Sequence, residues 1–256
     1  MKHFQQVAAA GAAVLSLALA AALGAQTPVP ETLQVGDRTV WVAAEIASTD
    51  GVPHWELFDP EVRSELESLL LAVERSQRRD PLAREGCISV HHTVEDRDPP
   101  ESLEELMSRS NGFYSGVLAA SKPGFYHDIP GTLFRMESLP TSESRESLRL
   151  PEEFYVFVRA GGFEFAGKSF CGGNERLAEI RPQDRVLFFK DNRTVVDGGV
   201  FEPREDFLIC ETGPDSVSFP RGLGLNNPSG TTPVGFDSLL QLMDRLRAEK
   251  RGGEKP

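Results

Sequence analysis

Downstream of Tyr114, short runs of β-branched and aromatic residues alternate with turns built on Gly and Pro, and this punctuation constrains the fold more than any other feature. Its spacing predicts strands over residues 114–121, 131–138, 153–159, 163–170, 185–190, 195–200, 207–211 and 216–219. Turns are expected at Lys122-Pro123-Gly124, Ile129-Pro130-Gly131, Gly161-Gly162, Pro182-Gln183-Asp184 and Gly213-Pro214-Asp215. Many short strands at close intervals suit an antiparallel architecture. The expected class is α+β: a small antiparallel β-barrel (OB-like) or sandwich, with about three peripheral helices.

Helical periodicity is clearest over residues 60–79. Asp59 can cap the start, Pro60 suits the first helical position, and Glu61 favours the positive end of the helix. Val62, Leu66, Leu69, Leu70 and Val73 then form one apolar stripe, a core-facing surface without chemistry. Asp80-Pro81 stops the helix. Ser102 and Glu105 form a capping box for a short helix over 102–110 that buries Leu103, Leu106 and Met107. A last helix over 237–248 sets Phe236, Leu239, Leu240, Met243 and Leu246 on one side. Upstream, residues 39–43 and 87–94 read as strands. The polar stretches 141–147 and 226–233 read as loops, and the tail 249–256 as disordered.

Compartment follows from the N-terminus. Lys2 and His3 precede an uncharged Ala- and Leu-rich stretch from Val7 to Leu23, with small residues at Gly24 and Ala25, the parts of a secretory signal over residues 1–25. Cleavage would leave a soluble protein, periplasmic or extracellular, with no stable membrane insertion. The formal net charge of −12 becomes one unit more negative without Lys2. Such a field repels phosphate backbones, and nucleic acid is excluded as a partner. Of the three cysteines, Cys87, Cys171 and Cys210, two are expected to pair in an oxidising compartment. The favoured bridge is Cys171–Cys210, because both lie in the β-rich half. The other pairings stay open, since sequence does not measure Cα separations.

The run Ser102-Leu103-Glu104-Glu105-Leu106 through Ser110, followed by Tyr114-Ser115-Gly116-Val117-Leu118, resembles the helix and strand that open secreted netrin-like modules. These OB-type barrels include the tissue inhibitors of metalloproteases. Asp184-Arg185-Val186-Leu187-Phe188-Phe189 is similar to a strand common in exported bacterial proteins of that shape. The resemblance spans residues 101–220 and implies a barrel with a binding role. The family's cysteine pattern is absent, so protease inhibition does not carry over.

Several motifs mimic chemistry. Gly162-Phe163-Glu164-Phe165-Ala166-Gly167-Lys168-Ser169 has the letters of a phosphate-binding loop, but its first half alternates as a strand does and no helix opens after Ser169. A strand hairpin is the expected structure. Cys87 and His91 share a strand face about 13 Å apart, too far for a thiol–imidazole pair. His91, His92, His127 and Asp128 lack the spacing of a zinc site, so no metal or cofactor is expected. The aromatic residues Phe113, Tyr114, Phe125, Tyr126, Phe154, Tyr155 and Phe157 fill both strand faces. The second face is expected to be covered by the helix at 60–79.

These readings divide the chain into a signal (1–25), an N-terminal strand and helix segment (26–100), a β-rich barrel (101–225), a docking helix (226–248) and a tail. The function expected is a non-enzymatic module that binds an unknown protein or small ligand through loops of the barrel. The alternative is a secreted hydrolase, possibly metal-dependent, that gathers His91, His127 and a carboxylate.

Overall fold

One long strand organises the molecule. In the computed structural model, which describes residues 28–79, 87–89, 100–139, 152–171, 180–190, 194–197, 199–203, 208–213, 216–218 and 235–253, the chain is α+β and rich in strands. In order the elements are β1 (Thr32–Val35), β2 (Arg38–Ala43), α1 (Ala44–Ala47), β3 (Ser48–Thr49), β4 (Val52–Pro53), a 3-10 turn at Trp55–Leu57, α2 (Pro60–Arg79), β5 (Ile88–Ser89), α3 (Leu103–Arg109) and β6 (Gly112–Tyr126). There follow β7 (Ile129–Ser138), β8 (Glu153–Val158), β9 (Gly162–Phe165), β10 (Lys168–Cys171), β11 (Arg185–Lys190), β12 (Val195–Asp197), β13 (Val200–Glu202), β14 (Leu208–Gly213), β15 (Ser216–Ser218) and α4 (Phe236–Gly253). The expected leader, the residues 90–94 with His91 and His92, and the polar loops 141–147 and 226–233 lie outside the described residues.

The main sheet runs β12-β13-β8-β7-β6-β11-β14-β15, and β2, carrying β1 on its other edge, also pairs with β6. β6 therefore takes two partners along one edge. Residues Gly112 to Val117 pair with β11, and Gly124 to Tyr126 pair with β2. A register shift between Leu118 and Ala120 bends the strand between these halves. Among the described residues no ladder joins the ends of the path, so the sheet is open and does not close into the expected barrel. The two-residue turn His127-Asp128, not a Pro-Gly turn, joins β6 to β7.

Both expected Pro-Gly turns in this region are strand instead, for a packing reason. Pro123 falls in the stretch of β6 that neither β11 nor β2 reaches, and Pro130 lies beyond the last β8 pair at Thr132. A missing N–H costs little at either place. Gly124 and Gly131 face each other across the ladder. A Cβ on Gly124 would lie 2.3 Å from the Val42 carbonyl oxygen and 2.8 Å from the Trp41 ring; one on Gly131 would lie 2.6 Å from the Phe157 ring. The bare pair lets Trp41 and Phe157 meet edge to face over the sheet, with centroids 6.3 Å apart.

Three further expectations are refined. The stretch 163–170, drawn as one strand and, against its phosphate-loop letters, expected to be a hairpin, is the hairpin β9–β10, turned by Ala166 and Gly167, both at positive φ. That over 195–200 is the hairpin β12–β13. The last helix starts at Phe236 and continues to Gly253, through part of the tail expected to be disordered. Helix α2 covers Pro60–Arg79 as its stripe predicts. Asp59, expected to cap it, accepts instead from the Thr39 backbone N–H at 3.1 Å, which ties the start of the helix to β2. At α3, Ser102 Oγ accepts from Glu105 N, while the Glu105 carboxylate reaches back to Glu101 N.

Apolar layers cover both faces. One face carries Tyr114, Leu118, Phe134, Met136, Phe154, Val156, Phe188 and Cys210, closed by Phe201 of β13. On the other, α3 and α4 bury Phe113, Leu187, Phe189 and Ile209 at one end. Val29, Trp41, Tyr126, Leu133, Phe157 and Val200 pack at the opposite end. α2 covers Phe125 together with Phe165 and Phe170 of the β9–β10 hairpin. The Tyr155 and Phe157 side, however, is covered by β1 and β2.

The disulfide is Cys87–Cys171, which corrects the expected Cys171–Cys210 pairing. β5 lies parallel to β10 with Ile88 opposite Phe170, so Cys87 and Cys171 come within 5.9 Å between Cα atoms. Cys210 is a thiol buried in the main sheet opposite Val186, whereas β10 belongs to a separate three-stranded sheet. The bridge is the chemistry of an oxidising compartment, and no described helix is long and apolar enough to cross a membrane.

Closing a loop of 84 residues restricts the unfolded chain by about 4.5 kcal/mol in the entropic model. Peptide mapping without reduction is expected to return linked Cys87 and Cys171 peptides, with Cys210 alkylated only after unfolding. Adding a methyl at Gly131 forces the Phe157 ring and the Val158 carbonyl aside. Gly131→Ala is expected to cost about 1–3 kcal/mol in denaturant melts.

Candidate functional site: the His127 corner

The β6–β7 turn brings together the titratable groups nearest to those that sequence singled out. His127 occupies the first turn position with φ 55°. That left-handed conformation costs a residue with a Cβ about 1–2 kcal/mol, although His tolerates it better than most. Its backbone N–H donates to the Val40 carbonyl, so β2 holds the turn in place. The ring stands edge-on to Tyr126 at 4.6 Å between centroids.

Asp197, at the end of edge strand β12, is the hub. Its Oδ2 lies 3.5 Å from His127 Nε2 and accepts from Arg38 Nη2 at 3.4 Å. The Tyr126 hydroxyl donates to the Asp197 backbone carbonyl at 3.5 Å. Beside this group, Arg159 sends Nε and Nη2 to Glu202 Oε1 at 3.0 and 2.6 Å. Side chains thus link β12, at one end of the main path, to β2 and to the β6–β7 turn, which among the described residues no ladder joins to it directly.

Burial, with the carboxylates of Asp197 and Glu202 beside it, pushes the Tyr126 phenol far above the ordinary tyrosine value of 10.0. The phenol is therefore a fixed donor and not a base. His127 and Asp197 have the elements of a base and its orienting carboxylate, and both are partly exposed.

The other sequence candidates are dispersed. Cys87 is consumed in the disulfide. His91 and His92 lie outside the described residues, so the trio of the hydrolase alternative is represented here by His127 and a carboxylate. Gly162 to Ser169 is the β9–β10 hairpin, with Lys168 and Ser169 on a strand and the Ser169 hydroxyl donating to Glu164, so the phosphate-loop letters build no helix N-terminus. His54 sits elsewhere, between Glu56 and Thr49. Among the described residues no three His, Cys, Asp or Glu side chains are grouped to hold a metal. Sequence reasoning named His127 but missed Asp197, Arg38, Glu202 and Arg159, because four separate segments meet only once the sheet has curled.

Family models, curated proteins and solved structures were all compared with the chain, and none matches it.

The raised phenol has a pH signature. Above pH 10 the unfolded chain loses the Tyr126 proton while the folded chain keeps it, so stability falls with rising pH, by up to about 1.4 kcal/mol per unit. Denaturant midpoints across pH 9 to about 11 are expected to fall less steeply in Tyr126→Phe. At neutral pH that variant is expected to lose only about 0.5–1.5 kcal/mol, one hydrogen bond.

Proposed function

We propose that this chain is an exported, non-enzymatic binding module whose recognition surface is the corner formed by the His127 turn and the β12 edge. The observation that carries this reading is the hub at Asp197, which holds Arg38 of β2 and His127 of the β6–β7 turn in one partly exposed polar surface and is tied through its backbone carbonyl to the buried Tyr126 of β6. A surface ordered before its ligand arrives loses less entropy on binding. The Cys87–Cys171 bridge and the leader-like N-terminus both favour export. The resemblance to netrin-like modules suggests the same binding role. A second reading, a hydrolase, is favoured by one observation, the approach of His127 Nε2 to Asp197.

Hydrogen–deuterium exchange on the full chain distinguishes them, measured with and without the extracytoplasmic fraction of the producing cells. Protection confined to residues 126–129 and 195–197, and lost in Arg38→Glu, is the expected result. Absence of protection there overturns the binding reading. So does ester hydrolysis, with p-nitrophenyl acetate as substrate, that His127→Gln abolishes.

A further inference from the structure

Away from the corner, a charged row crosses the middle of the main sheet, between the apolar cluster under α3 and α4 and the one around Trp41. Register puts Glu153, Glu137, Val117 and Arg185 side by side on β8, β7, β6 and β11. Two arginines serve this row, and they are in opposite states. Arg185 is saturated. Its Nε and Nη2 take the two oxygens of Glu211 at 3.0 and 2.7 Å, its Nη1 reaches Asp237 of α4, and its plane lies over Phe236. Arg135, two residues along β7 from that row and on the same face, is only 1% exposed. Its Nη1 donates to Glu153 Oε1 at 2.6 Å, but among the described residues Nε and Nη2 have no hydrogen-bond partner.

These two nitrogens are the pair whose N–H bonds run parallel from one edge of a guanidinium, the fork that receives both oxygens of a carboxylate. Arg185 shows that edge occupied. Beside this edge of Arg135 stands Glu137, whose Oε1 is 3.9 Å from Nη2, beyond hydrogen-bond range, on a side chain 53% exposed. A buried guanidinium edge without acceptors is costly, and a native site that keeps one calls for an occupant. Among the described residues the buried Ser115 Oγ also has no hydrogen-bond partner, but it lies opposite Leu139, four residues along the chain from Arg135, and is not part of this edge.

We propose that the Arg135 edge is a binding site for a carboxylate group of a ligand, received by Nε and Nη2 as Glu211 is received by Arg185. Glu137 guards the edge and turns outward as the ligand carboxylate enters, while Glu153 holds the far side of the guanidinium so that the fork keeps its direction. The site is separate from the His127 corner and stands or falls independently of it.

The test follows the Arg135 Nε–H resonance in full-length protein labelled with 15N at arginine, titrated with sodium acetate at constant ionic strength against sodium chloride. A saturable shift with acetate is expected. In Glu137→Gln the apparent affinity is expected to rise several-fold, and in Arg135→Lys, which keeps the charge but not the fork, acetate binding followed by calorimetry is expected to weaken roughly tenfold or more. Acetyl-dialanine with a free carboxyl terminus, compared with its amide, identifies the source: tighter binding than acetate assigns a peptide terminus, and equal binding a small acid. A resonance that acetate does not move, in the wild type and in Glu137→Gln alike, overturns the proposal even if Arg135→Lys fails to fold. An equal response to sulfate overturns it as well.

Discussion

Everything positioned in this molecule depends on β6 being shared. Its first half belongs to the ladder with β11 and its second half to the ladder with β2, while β7 follows it throughout. A strand cannot serve two partners on one edge without bending between them, and the register shift after Leu118 supplies the bend. The bend decides which residues meet. Upstream of it the sheet lies beneath α3 and α4; downstream, Trp41 and Phe157 close over the Gly124–Gly131 pair. Side chains at that glycine pair would separate the aromatic rings and, with them, β2 from the sheet.

The polar groups follow the same division. At the downstream end, Asp197 joins the β12 edge to Arg38 and His127, so polar side chains tie segments that a ladder would tie in a barrel. At the crossing between the two apolar clusters, Arg185 and Arg135 occupy comparable ground with different outcomes. The first anchors α4 through Asp237 and is structural. The second is buried more deeply, 1% exposed against 24% for Arg185, and among the described residues its bidentate edge makes no hydrogen bond. A buried polar group of that kind draws a functional question, whereas the solvated carboxylates that abound in this acidic chain do not.

Local physics made much of the chain legible. The stripe from Val62 to Val73, the Ser102 cap and the apolar side of the last helix each depend on neighbours a few residues away, and the helices lie where those patterns put them. Strand alternation at residues 163–165 correctly argued against a phosphate loop. The misreadings share one cause. Pro123-Gly124 and Pro130-Gly131 carry turn chemistry, yet here proline marks missing neighbours and glycine marks the approach of Trp41 and Phe157. His127-Asp128, the turn that does form, has no glycine to announce it. The same limit applies to the candidate site, where His127 could be named but not its partners.

By itself, then, the order of residues determined the α+β class, the three amphipathic helices and the presence of many short strands, because these follow from periodicities within one or two turns or a few strand residues. Tertiary structure alone decided that among the described residues the sheet stays open, that Cys87 and not Cys210 meets Cys171, that Asp197 gathers the His127 corner, and that the buried Arg135 edge makes no hydrogen bond there. Each of these is a distance between segments far apart in the chain. Such distances are set by how β6 bends and by what packs over its glycines, and no local pattern encodes them.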